Sequence, residues 1–151
     1  MKMRWALGAV ILAAAAGAVT ALGDTLSPAA SLSEGIQADL SATADFLVRL
    51  RVIHPVLALA AAYLAASIAL PAFHRKQKYA IWVLGAIATA VLAGAANILL
   101  SAPVWLQLIH LLIADVLWIA LVLLGSEMRT NSIEIPRATP ISPENTLFAR
   151  E

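Results

Sequence analysis

Three observations predict an all-α, polytopic membrane protein: four transmembrane helices in a bundle built from two repeated helix hairpins. The chain of 151 residues is 62% hydrophobic and 13% charged, with a mean hydropathy of +0.87. Its charges fall between four long apolar runs. It also says the same thing twice. Trp5-Ala-Leu-Gly8-Ala-Val-Ile-Leu-Ala-Ala-Ala-Ala-Gly17-Ala returns as Trp82-Val-Leu-Gly85-Ala-Ile-Ala-Thr-Ala-Val-Leu-Ala-Gly94-Ala. Arg51-Val-Ile-His54-Pro-Val-Leu-Ala58 is echoed by Gln107-Leu-Ile-His110-Leu-Leu-Ile-Ala114. Repeats of this kind in membrane proteins relate two halves by an axis, and sites form where the halves meet.

A bilayer core takes roughly 20 residues of helix. Trp5–Leu22, Val52–Ala72, Tyr79–Leu100 and Val104–Leu124 meet that length. Helix is the expected form, because backbone groups in lipid must be satisfied within the segment. The first span closes at Gly23-Asp24. Its N-terminal stretch, Met1-Lys-Met-Arg4 and an Ala-rich run, also fits a secretory signal peptide. The match of residues 5–18 to the third span argues for a retained helix instead. An exterior loop follows, with Leu32, Ile36, Leu40 and Phe46 spaced as a short amphipathic helix on the membrane surface. The second span ends near Pro71, and His74-Arg-Lys-Gln-Lys78 is a basic turn into the third. Ser101-Ala-Pro103 makes the short turn into the fourth, with Trp105 at the interface. Residues 1–125 therefore form one transmembrane domain, and residues 126–151 read as a polar, disordered tail.

Charge placement gives an orientation. Lys2, Arg4, Arg75, Lys76, Lys78, Arg129, Arg137 and Arg150 fall on one side, and only Arg49 and Arg51 on the other. The positive-inside rule puts both termini in the cytoplasm of a multi-pass protein of the plasma membrane. Lipid is thus the first partner. No basic patch interleaved with aromatics is present, so nucleic acid is not an expected one. With no cysteine, disulfides, iron–sulfur clusters and thiolate zinc sites are excluded.

The chemistry lies in the two repeated histidines. Spans two and four run in the same direction, His54 just past Arg51 and His110 just past Trp105. At 1.5 Å per residue both sit about 5–8 Å inside the outer interface. Matched depth is what axial ligation of one macrocycle requires, and ionisable groups inside a membrane are expensive and usually functional. Structural zinc wants four ligands, and the spans hold no further histidine or cysteine. A heme iron held from both sides is the expected ligand. One turn outward, Arg51 and Gln107 occupy equivalent places on the two histidine faces. Arg51 suits a charge-assisted bond to a propionate, or serves as a snorkelling anchor. Asp115 lies about 140° around the fourth helix from His110. Asn97 or Thr89 on span three is the expected hydrogen-bond partner for it. His74 in the basic turn reads as solvated.

At these residues the chain resembles a known family. Leu22-Gly-Asp24-Thr-Leu-Ser-Pro28, Phe46-Leu-Val-Arg-Leu-Arg51-Val-Ile-His54-Pro55, Ala96-Asn97-Ile-Leu-Leu-Ser-Ala-Pro103 and Gln107-Leu-Ile-His110-Leu-Leu-Ile-Ala-Asp115-Val-Leu-Trp118 look like the C-terminal half of heme A synthase. The likeness runs from residue 5 to 125. It implies a heme b between His54 and His110, and oxidation of heme O to heme A for cytochrome oxidase assembly. The family's N-terminal half carries a glutamate in an E-x-x-H-R pattern and often a cysteine pair. Here Arg51 and Gln107 stand in that place and cysteine is absent, so no catalytic residue is assigned. The resemblance therefore leaves three forms open: a fragment, a subunit with a second four-helix half, or a homo-oligomer. It also leaves open the electron donor and two other roles, a stand-alone bis-His electron-transfer cytochrome and a non-enzymatic heme carrier.

Overall fold

The computed structural model describes residues 1–26 and 46–133, with Ser33, Gln37 and Ser41 between them. Among these, four helices carry the fold: α1 (Lys2–Leu26), α2 (Phe46–His74), α3 (Ala80–Leu99) and α4 (Val104–Ile133). All four are long and apolar enough to cross a membrane, so the chain is a helical membrane bundle. The surface helix expected between Leu32 and Phe46 lies outside the described residues, apart from Ser33 and Gln37, both helical, and Phe46, which opens α2.

The helices form a ring. α1 packs on α2 and α4, and α3 packs on α4 and α2. Large apolar side chains point outward, among them Leu12, Leu59, Trp82, Leu92 and Leu108. The interior is a seam of small residues, including Ala6, Ala13, Ala61, Ala65, Ala69 and Ala80. This inverts the soluble pattern for a physical reason. Lipid solvates large aliphatic groups well, so helices associate by close van der Waals approach over small residues.

Close packing is confined to one end. The buried residues of α1 lie before Gly17, apart from Gly23, those of α2 after Ala58, those of α3 before Ile87, and most of those of α4 after Ala114. At that end the side chain of Met3 packs within 3.6 Å of where a Cβ on Gly125 would stand. Toward the other end the helices part, and a cavity opens between them.

Three elements run further than the sequence suggests, α1 passing Gly23-Asp24 to Leu26. α2 continues through Pro71 to His74. A single missing N–H near a helix end does not stop a helix whose other backbone groups have no outside partner. It stops instead at Lys76, which takes a left-handed conformation (φ 58°). There Lys76 N donates to Phe73 O at 2.9 Å and Gln77 N to Ala72 O at 3.1 Å. α4 likewise runs to Ile133, so the first residues of the polar tail are helical, and residues 134–151 lie outside the described set.

That extension positions Glu127. Its Oε1 accepts from Lys78 N at 2.8 Å and its Oε2 from Tyr79 N at 3.2 Å. A carboxylate thereby satisfies N–H groups at the start of α3 and meets the positive end of its dipole. Glu127→Ala is expected to lower stability by about 1–2 kcal/mol. Denaturant unfolding in detergent micelles checks this; an unchanged midpoint would remove the cap from the account.

Candidate functional site

His54 enters the cavity from α2 and His110 from α4, with ring centroids 6.4 Å apart and planes 83° to each other. Both rings reach it because each helix of a hairpin meets a glycine of its partner. Gly17 of α1 faces His54, and Gly94 of α3 faces His110. These glycines occupy the same place in the repeat. A Cβ on Gly17 would stand 2.8 Å from His54 Cε1, and a Cβ on Gly94 would stand 3.3 Å from His110 Cε1. Neither glycine has a positive φ, so close approach of the imidazole, not backbone freedom, is what requires Gly17, while the fit at Gly94 is looser.

The cavity has a volume of about 520 Å³, within the roughly 300–1,000 Å³ of sites that enclose small ligands. Ala13, Ala58, Ala62 and Ala90 line its body, and Thr20, Asp24, Arg51, Asn97 and Gln107 lie toward its mouth. Small residues leave the space; polar ones gather where the helices end.

Each hairpin is tied at that mouth. Arg51 Nε lies 2.6 Å from Asp24 Oδ1, and Arg51 also donates to Gly23 O at 3.4 Å. At the equivalent place in the second half, the Gln107 amide donates to Ala102 O. Arg51 and Gln107 thus line the cavity, with their side chains engaged by their own hairpins. The tie from Arg51 to Asp24 was not read from the sequence. The legible signal is that Asp24 ends one span at the interface where Arg51 begins the next.

The imidazoles differ in their second nitrogen. His54 Nδ1 lies 3.1 Å from Ala13 O. His110 Nδ1 is buried with no hydrogen-bond partner, and so is Asn97 Oδ1. Both residues line the same cavity.

Asp115 stands apart from this group. It is exposed on α4 and lines a second groove with Val10, Ile11, Ala14, Trp118 and Ile119. The expected contact with Asn97 or Thr89 is absent: Asn97 faces the histidine cavity, and Thr89 donates to Gly85 O at 2.8 Å. Rotation explains the difference. α4 touches α3 on one flank and α1 on the other, and the turn from His110 to Asp115 carries the carboxylate to the α1 flank. His74 is exposed at the packed end.

Among the described residues no group of three or more His, Asp or Glu side chains is placed to hold a bare metal ion. The cavity offers two imidazoles with ring centres 6.4 Å apart in largely apolar surroundings, a donor set that needs further ligands from whatever it binds.

Comparison with known proteins gives this arrangement a family. No solved structure matches the chain. Proteins named protoheme IX farnesyltransferase from two strains of Thermus thermophilus are each 39% identical to it over 126 residues. The aligned region is 78% of this chain but only 20% of each relative, so the chain spans about a fifth of their length. Residues 1–122 match the COX15-CtaA family, described as cytochrome oxidase assembly protein. The chain therefore belongs to the COX15-CtaA family of cytochrome oxidase assembly proteins.

Proposed function

We propose that this protein binds one heme b between His54 and His110 and supports oxidation of heme O to heme A by a partner unit during cytochrome oxidase assembly. The observation that carries the reading is the facing pair of imidazoles. Metal–imidazole bonds of about 2.0 Å on either side of one iron set ring centres about 6.3 Å apart, against the 6.4 Å measured here. The bond from His54 Nδ1 to a backbone carbonyl supports it too, because that contact leaves Nε2 free as the ligand. Two protein donors leave the remaining positions to a macrocycle.

Within the site the chain's own residues bind and orient. His54 and His110 would hold the heme iron, Gly17 and Gly94 let their rings in, and the alanine walls leave the space for the macrocycle. Arg51 and Gln107 stand at the mouth, within reach of acidic edge groups on a bound heme. Such a heme supplies one-electron chemistry, and the proposed role is to pass single electrons to the partner's oxidising site. Proteins named for farnesylating protoheme IX share this sequence region, which favours a heme-related substrate. The basic residues at the packed end favour an orientation with that end on the cytoplasmic side of a plasma membrane.

The test is a reduced-minus-oxidised spectrum of the purified chain with heme typing. A low-spin b-type signal at about one heme per chain is expected, and His54→Ala or His110→Ala should each abolish that low-spin form. A signal unchanged in either variant would refute the ligand assignment. Arg51 and Gln107 at the position of the family's glutamate favour a second reading, an electron-transfer cytochrome with no part in heme modification. Coexpression with a source of heme O separates the two, since only the first yields heme A or a hydroxylated heme in the membrane.

A further inference from the structure

The two halves of the bundle treat their histidines unequally, although the repeat makes those positions equivalent. His54 is held twice: Nδ1 lies 3.1 Å from Ala13 O, and the ring sits against Gly17 so closely that a Cβ there would stand 2.8 Å away. His110 is held by neither device. Its Nδ1 has no hydrogen-bond partner, and its ring leaves 3.3 Å to a Cβ on Gly94. Ala90, the repeat equivalent of Ala13, lines the cavity but supplies no bond to His110. A carbonyl on Nδ1–H fixes the tautomer and ring orientation of a metal-bound imidazole and raises its basicity; losing it typically weakens metal binding about 10–100-fold.

We propose that His54 is the fixed ligand and His110 the exchangeable one, so that the His110 side of the cavity is a binding site for a small neutral ligand of the carbon monoxide class. This rests on the heme reading above. Exchange would break the bond between His110 and the iron and form one to the incoming molecule, with no change in electron count. An acceptor waits for the released ring. Asn97 Oδ1 is buried, unpartnered and in the same cavity, one helical turn from the glycine that faces His110. An Nδ1–H donor and a carbonyl acceptor, each without a partner in this structure, complement each other once the ring turns toward Asn97. Asn97 is then a positioning residue for the released state.

The experiment titrates the dithionite-reduced, heme-loaded full chain with carbon monoxide and compares His54→Ala, His110→Ala and Asn97→Leu. The wild type is expected to form the carbon monoxide adduct from its low-spin state. His110→Ala keeps its heme and binds carbon monoxide more tightly, whereas His54→Ala holds heme about 10–100-fold more weakly. Asn97→Leu keeps the low-spin spectrum and lowers carbon monoxide affinity about fivefold to tenfold, the loss of one buried hydrogen bond. A low-spin wild type that refuses carbon monoxide overturns the proposal and leaves the heme reading standing. So does equal heme loss in the two histidine variants, or an Asn97→Leu protein with wild-type affinity. A wild type without heme overturns both. The wild-type and Asn97→Leu titrations do not depend on either histidine variant folding.

Discussion

Gly17→Ala is expected to weaken heme binding about 10–100-fold, while Gly94→Ala leaves it nearly unchanged. The difference lies in the space each new methyl finds. At position 17 the Cβ would stand 2.8 Å from His54 Cε1 and 3.3 Å from both ring nitrogens, closer than side chains pack. The imidazole is the part free to give, so the helices stay and the ring is pushed off Ala13 O. At position 94 the nearest atom is 3.3 Å away and the next 3.8 Å, which a few tenths of an ångström of ring movement relieves. Alanine is also the better helix former, by about 1 kcal/mol over glycine. Both variants should therefore be at least as helical as the wild type. Heme titration beside a thermal melt of the heme-free chain separates ring displacement from misfolding. Equal heme affinity in the two variants would show that the glycines do not set ring position.

Asp115→Leu is expected to make the protein more stable by about 2–3 kcal/mol, the scale on which a carboxylate at the centre of a span opposes insertion. Asp115 is exposed in the groove between α1 and α4 and has no hydrogen-bond or ion-pair partner among the described residues. About ten residues of helix separate it from Trp105, on the order of 15 Å along α4. Its flanking residues, Ile11, Trp118 and Ile119, already suit a leucine. Unfolding of the chain in lipid nanodiscs measures the gain. A loss of stability would mean that the carboxylate is engaged where the membrane-embedded protein works.

Much of this molecule is legible in its sequence. Four spans follow from hydropathy, and the pairing of His54 with His110 follows from the repeat, because both signals are local or periodic and survive without knowledge of packing. The glycines at 17 and 94 were visible in the same repeat as matched letters. Their purpose was not, since a glycine in a membrane helix serves close helix packing as readily as it serves a side chain from the next helix. Glu127 was hidden for another reason: in a polar tail nothing marks an acid as the cap of a distant helix until α4 is seen to extend and bring it to Lys78 and Tyr79.

The amino-acid order alone is enough for the number of helices, the equivalence of the two histidine positions and the family, all consequences of residue type and spacing along one chain. The inequality of the histidines, the ties of Arg51 to Asp24 and of Gln107 to Ala102, and the removal of Asp115 from the site depend on how far each helix is rotated against its neighbours. A backbone carbonyl such as that of Ala13 is present at every residue and carries no signature of its own. Only the packed bundle selects the one that meets a histidine.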